Sequence, residues 1–142
     1  MSERPSSPAL VRLEAQRRWA VTQARQQGKI REIGHALASA GFCTLDDQAK
    51  ALGIGRSTTW TILKATHKSS GLSAGLIERI LSSPELPPEV RDKVIEYARD
   101  KAVGAYGHSP AQRRRFSVRL SVALSAWVGP SAPAPQPQTL NA

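Results

Sequence analysis

The sequence predicts an all-α protein built from short amphipathic helices. Aromatic residues make up only 5% of its 142 residues, and β-branched runs are short. Apolar residues instead recur three and four positions apart, the spacing that places side chains on one face of an α-helix. We therefore expect one small helical domain with extensions, too short to include a separate ligand-sensing domain of the usual size.

The N-terminal region is expected to form two helices. The first would start at Ser7-Pro8, because serine caps a helix and proline suits its first turn. Gly28 is expected to break this helix after Gln27. A second helix would then run from Lys29 to Ala40. The first helix carries a narrow apolar face, formed by Leu10, Leu13, Ala20, Val21 and Ala24, and is interpreted as one that docks or dimerises.

A two-helix hinge is predicted from Thr44 to Leu63, where the chain reads TLDDQAKALGIGRSTTWTIL. Thr44 is placed to cap the first helix, and Gly53 ends it because glycine readily adopts a positive φ. The second helix would start at Arg56. It would bury Thr59, Ile62 and Leu63 and expose Ser57, Trp60, Thr61 and Lys64. Two short helices in this arrangement allow the second to enter a DNA major groove.

Three more helices are predicted after the hinge. One lies between Leu72 and Leu81 and is stopped by Pro84, and the next spans residues 86–101. The apolar positions of this last-named helix, which include Tyr97, are interpreted as core. The Tyr97 hydroxyl is either buried with them or exposed to solvent. The last helix spans residues 109–127 and carries an apolar stripe of Phe116, Leu120, Ala123, Leu124 and Trp127. This stripe either packs against a second copy of the chain, which is slightly favoured, or folds back onto the domain.

The hinge sequence resembles the DNA-reading segment of the lac-repressor family and of the lambda-repressor and Cro group. The matching positions are Thr44-Leu45, Ala49-Lys50, Gly53, Arg56-Ser57-Thr58 and Ile62. The resemblance extends over about residues 30–106. It implies a lambda-repressor-like helix-turn-helix domain of about five helices, with an extra helix at each end.

Two residues depart from that family's pattern. Thr59 stands where the family usually carries Val or Ile, so its buried hydroxyl should bond to a preceding carbonyl of its own helix. Trp60 stands where a small polar base-reading residue is common. The indole either presses on a thymine methyl or sugar, or caps the core beside Leu63.

The predicted DNA contacts follow from the outer face of the second hinge helix and the loop after it. Arginine and lysine suit guanine edges, and hydroxyls accept several bases. The predicted DNA-binding residues are Arg56, Ser57, Thr58, Trp60, Thr61, Lys64 and Lys68. Weaker phosphate contacts are assigned to Thr44, His67, Ser69, Arg113, Arg114 and Arg115.

The net charge of +9 is concentrated at the two ends. Residues 1–32 hold seven Arg or Lys and three Glu, and residues 110–142 hold four Arg and no acid. Residues 33–109 hold nine basic and eight acidic residues. We interpret this as a nearly neutral reading domain between basic extensions that attract phosphates. Basic extensions also suit an acidic protein partner, RNA or simple solubility.

Four segments organise the chain in this interpretation. They are a basic helical arm (1–28), the DNA-binding domain (29–107), an amphipathic C-terminal helix (108–128) and a disordered Pro-rich tail (129–142). The tail reads GPSAPAPQPQTLNA, and its composition is that of segments that do not form a packed core.

Other function classes find little support. Cys43 and the three histidines have no zinc-ligand spacing, and no nucleophile and base are spaced for catalysis, so no metal, no cofactor and no enzyme activity are expected. No apolar run is long enough to span a membrane, and the N-terminus lacks a secretion signal. A cytoplasmic, nucleoid-associated location is expected.

The sequence thus favours a transcriptional regulator that binds double-stranded DNA as a homodimer. A repressor without an effector domain is preferred, because no acidic activation surface is evident. Alternatives are a DNA-packaging or recombination accessory protein, an antitoxin-like protein that holds a partner through the 116–127 stripe, or an RNA-binding or protein-interaction module.

Overall fold

Six helices form the part of the chain that the structure, a computed structural model, describes. This part comprises residues 7–64 and 71–131, with side chains to residue 122. The helices are α1 (Pro8–Ser39), α2 (Leu45–Leu52), α3 (Arg56–Lys64), α4 (Ala74–Leu81), α5 (Pro88–Ala102) and α6 (Pro110–Ser131). No strand occurs in these ranges, which confirms the all-α prediction for them. The predicted contacts His67, Lys68 and Ser69 and tail residues 132–142 lie outside the described residues.

The prediction of a helix break at Gly28 is wrong, because α1 is one helix of 32 residues. Its start is as predicted, since the Ser7 Oγ accepts a hydrogen bond from the Leu10 N–H at 3.1 Å. Glycine inside a helix costs only about 1 kcal/mol relative to alanine. Burial of side chains on one face of α1 outweighs that cost. The buried residues of α1 are Gln26, Ile30, Ile33 and Leu37.

The first half of α1 lies outside the core. Every residue from 8 to 21 is exposed, including the apolar side chains Leu10, Val11, Leu13, Trp19 and Val21. The described core does not use this surface. Docking or dimerisation of the arm stays a prediction.

The two-helix hinge forms as predicted. Thr44 caps α2, its Oγ1 accepting from the Asp47 N–H at 3.1 Å. Gly53 ends α2 with a φ of 70°, a conformation that glycine adopts without a Cβ clash. Ile54 is buried after the turn, and its N–H donates to the Ala49 carbonyl. These local bonds fix the angle at which α3 leaves α2.

Helix α6 folds back onto α4 and α5. Phe116 and Leu120 are buried in the same core as the rest of the domain. These two residues of the predicted stripe therefore pack within the chain and are not exposed for contact with a second copy. The side chains of Ala123, Leu124 and Trp127 lie outside the described part. The α6 backbone is helical to Ser131, so the prediction of disorder is wrong for residues 129–131.

A buried polar network joins α1, α5 and the start of α4. Tyr97 is fully buried; its hydroxyl donates to the Gln26 Oε1 at 2.6 Å and accepts from the Leu72 N–H at 2.9 Å. The Lys101 ammonium donates to the Leu72 carbonyl at 2.7 Å. Tyr97 is therefore core as predicted, but the option that its hydroxyl reaches solvent is excluded. Both peptide groups of Leu72 are held by side chains of α5.

Two glycine substitutions should have opposite effects on stability. A Cβ at Gly28 would meet nothing within 4 Å, so Gly28→Ala should raise the free energy of unfolding by about 0.5–1 kcal/mol through a better helix propensity. A Cβ at Gly71 would collide with Gln26 and Tyr97, and its φ is 72°. Gly71→Ala should therefore lower the free energy of unfolding by about 2 kcal/mol or more.

Urea unfolding of both variants against the unsubstituted protein measures the difference. A destabilising Gly28→Ala would contradict the continuous α1.

Stability should rise with pH between about 8 and 9.5 because of Lys101. Burial lowers the pKa of Lys101 to about 8, below the value near 10.5 of an unfolded lysine. In this window the unfolded chain binds more protons, so the free energy of unfolding increases with pH, by about 1–2 kcal/mol from this residue. Above pH 10 the opposite contribution of Tyr97 and Tyr106 begins, because burial raises the pKa of both.

The measurement is urea unfolding at pH 8 and 9.5 for the protein and for Lys101→Met, which lacks the titrating amine. An equal change in both proteins would show that Lys101 titrates normally in the folded state.

Candidate nucleic-acid interface

Helix α3 is anchored through one face. Thr59 and Ile62 have no exposed surface, and the Thr59 Oγ1 donates to the Gly55 carbonyl at 2.8 Å. The predicted bond of this hydroxyl to a preceding carbonyl is confirmed, with its acceptor one residue before α3. The buried Thr59 hydroxyl therefore leaves no unpaired donor in the core.

A close approach of α1 completes the anchor. Gly34 of α1 lies against Leu63, and a Cβ at Gly34 would stand 2.9 Å from the Leu63 Cδ2. Helix α3 packs on both α1 and α2. Gly34 thus marks the close contact between α1 and α3 in the sequence, although helical periodicity alone does not predict that contact.

The opposite face of α3 is open to solvent. Arg56, Ser57, Trp60 and Lys64 are exposed, and Thr58 and Thr61 are half-buried. Trp60 keeps 52% of its surface exposed, so its indole stands on the outer face and does not cap the core beside Leu63. The structure therefore brings together six of the seven predicted DNA-binding residues, and the seventh, Lys68, is not described.

Three contacts organise this outer face. The Arg56 Nε lies 2.8 Å from the Asp46 Oδ1 of α2, and both side chains are about 70% exposed. The Lys64 Nζ lies 4.6 Å from the centre of the Trp60 ring. The Thr61 Oγ1 donates to the Ser57 carbonyl at 3.0 Å. Helical periodicity alone does not predict this ion pair between Asp46 and Arg56.

The exposed Arg56 pair is weak and easily exchanged. Solvent-exposed ion pairs contribute about 0–1 kcal/mol. A guanidinium held this loosely is positioned at the start of α3, yet it can leave Asp46 for a stronger acceptor such as a guanine edge or a phosphate.

The predicted phosphate contacts outside α3 occupy two other places. Thr44 is exposed at the start of α2. Arg114 and Arg115 are exposed on α6, whereas Arg113 is half-buried and its Nη1 donates to the Val103 carbonyl at 3.4 Å. Helix α6 packs on α4 and α5, whereas α3 packs on α1 and α2. The arginines of α6 and the outer face of α3 are therefore carried by different groups of helices.

Acidic and basic side chains form ion pairs where α1 meets α5. The Lys29 Nζ lies 3.2 Å from the Glu96 Oε1, and the Lys93 Nζ lies 3.1 Å from the Glu32 Oε1. The hydrogen bond and charge of Lys29 lower the pKa of Glu96, and those of Glu32 raise the pKa of Lys93. Helix α3 itself holds no acidic residue.

The same described ranges hold no group of three His, Cys, Asp or Glu side chains arranged for a metal ion. None of their helices has the length and apolar character needed to cross a membrane.

Comparison with known proteins leaves the family open. No protein-family model, no curated protein and no solved structure matches the chain. The assignment of function therefore depends on the geometry of the hinge and on the outer face of α3.

Proposed function

We propose that this protein binds double-stranded DNA in a sequence-specific manner through α3 and thereby regulates transcription. The observation that carries the proposal is the two-sided character of α3: buried Thr59 and Ile62 fix the helix to the domain, while its donor-rich face is exposed. In this proposal α2 and α3 are the two helices of a lambda-repressor-like helix-turn-helix.

The outer face of α3 offers the chemistry that base edges require. Arg56 and Lys64 are donors for guanine O6 and N7, and the hydroxyls of Ser57 and Thr61 pair with several bases. The exposed Trp60 ring supplies an apolar surface for a thymine methyl or a sugar. Placement in the major groove with the start of α3 nearest the bases would use these groups together.

Repression is the preferred mode of regulation, exerted by a cytoplasmic, nucleoid-associated homodimer that occupies a promoter. Support for a dimer comes from symmetry, since readers of this type commonly bind two half-sites. The exposed first half of α1 is available for that contact.

Selection of duplexes from a random pool tests the proposal directly. A recovered motif with two half-sites about one helical turn apart would support sequence-specific binding by a dimer. Equal retention of all sequences would contradict specific recognition, and retention of no duplex would contradict DNA binding altogether.

Substitution of Arg56 should separate base reading from phosphate binding. Arg56→Ala should weaken binding to the selected duplex by about 1–3 kcal/mol and relax the preference at one base position. Arg99→Ala removes the same charge from an exposed arginine of α5 and serves as the matched control. Competition binding against single-base variants provides the measurement. A uniform loss across all sequences would contradict base reading by Arg56.

Neutralising Asp46 should strengthen DNA binding by releasing Arg56. Asp46→Asn removes the ion-pair partner, so we expect about 2–5-fold tighter duplex binding at low salt, consistent with a pair worth less than 1 kcal/mol. Asp47→Asn is the matched control, because it removes the same charge from the same first turn of α2. Fluorescence anisotropy with a labelled duplex compares the two. Equal gains in both variants would reduce the effect to overall charge and contradict a special role for the Arg56 pair.

A further inference from the structure

A basic cavity lies between the start of α4, the end of α5 and the first turns of α6. Its volume is about 290 Å³, near the lower end of the range of small-ligand pockets. The cationic and imidazole side chains that line it are Lys101, His108, Arg113, Arg115 and Arg119, and no carboxylate lines it among the described residues. Such a lining attracts anions and excludes cations.

Lys101 places a buried ammonium at this cavity. Only 6% of the residue is exposed, and its Nζ lies 4.6 Å from the centre of the Phe116 ring. Burial disfavours the charged form of the amine and lowers the pKa of Lys101 to about 8. An anion in the cavity would offset that desolvation.

The arginines add donors that the protein does not fully use. The Arg113 Nε is buried and has no hydrogen-bond partner within the described residues. The Arg119 Nη2 stands 3.7 Å from the position a Cβ would take on Gly75, so this guanidinium lies over the first turn of α4. Unpaired buried donors are uncommon in folded proteins and point to a missing acceptor.

The first turn of α4 supplies a third kind of donor. Ser73 and Ala74 line the cavity, and Ser73 caps the helix by accepting from the Leu76 N–H at 3.1 Å. The N–H groups at the start of a helix have no acceptor within it and carry a partial positive charge. Guanidinium groups, an ammonium and a helix start thus converge on one small volume.

We propose that this cavity binds an oxyanion of the phosphate class. A tetrahedral phosphoryl group offers several acceptors to guanidinium donors and to a helix start at once. Its source is either a small phosphorylated molecule or the DNA backbone. The proposal concerns a second site, and it stands without DNA reading by α3.

Isothermal titration with inorganic phosphate and with pyrophosphate tests the site in the absence of DNA, against chloride at equal ionic strength. Arg119→Gln should weaken binding at least about 10-fold, the effect of losing a charged hydrogen bond. Arg114→Gln removes the same charge from an exposed position of α6 that does not line the cavity, and should change the affinity less than 2-fold, within the ~0–1 kcal/mol range of surface charge effects. Circular dichroism checks that each variant folds.

Arg115→Gln provides a second cavity variant, because Arg115 is exposed and its loss should leave the fold intact. No saturable binding up to about 10 mM phosphate, or equal loss in the Arg114 and Arg119 variants, would overturn the proposal.

A final arm distinguishes the two sources. Phosphate is titrated into the complex with a selected duplex at constant ionic strength. Displacement of the duplex, together with weaker duplex binding by Arg119→Gln, assigns the cavity to a backbone phosphate. Simultaneous binding of both assigns it to a small phosphorylated molecule. Because the first titration contains no DNA, failure of DNA binding and failure of this site are read separately.

Discussion

The rest of the structure depends on the two hydrogen bonds by which α5 holds Leu72. Tyr97 accepts the Leu72 N–H and Lys101 donates to its carbonyl, so the chain entering α4 has one position and one direction. Tyr97 also reaches Gln26, which ties α1 to the same point. This bonding requires Gly71 to lack a side chain, and it requires α1 to continue past Gly28 so that Gln26 reaches the core. The two peptide groups of Leu72 thus couple three helices that are far apart in sequence.

This coupling bears on α3, because α3 lies between the Gly53 turn and the Leu72 hydrogen bonds. Before α3, the Gly53 turn and the capped α2 set its direction; after the segment that follows α3, Gly71 and Leu72 are held by α5. Gly34 lets α1 contact Leu63 directly. A helix held in this way presents its outer face in one orientation, and such preorganisation reduces the ordering cost of binding. Only exposed side chains, such as Arg56 in its exchangeable ion pair with Asp46, are then free to change conformation on binding.

The sequence predicted those features that local chemistry determines. Thr44 and Gly53 bound α2 because a cap and a positive φ depend on neighbouring residues alone, and the two faces of α3 follow from helical periodicity. The break at Gly28 failed because tertiary burial outweighed a local penalty. The Tyr97–Gln26 bond and the return of α6 onto the core depend on contacts between residues distant in sequence, which periodicity does not pair. The Asp46–Arg56 ion pair and the basic cavity likewise arise only when separate helices meet.

The return of α6 has a further consequence for the charge distribution. Four arginines and no acid among residues 110–122 would favour a detached, solvated helix, but repulsion between exposed charges is worth only about 1 kcal/mol at 4 Å in water. Burial of Phe116 and Leu120 contributes about 1.5–3 kcal/mol each, so packing prevails over repulsion. The arginines of α6 are therefore fixed on the domain surface, beside the cavity between α4, α5 and α6.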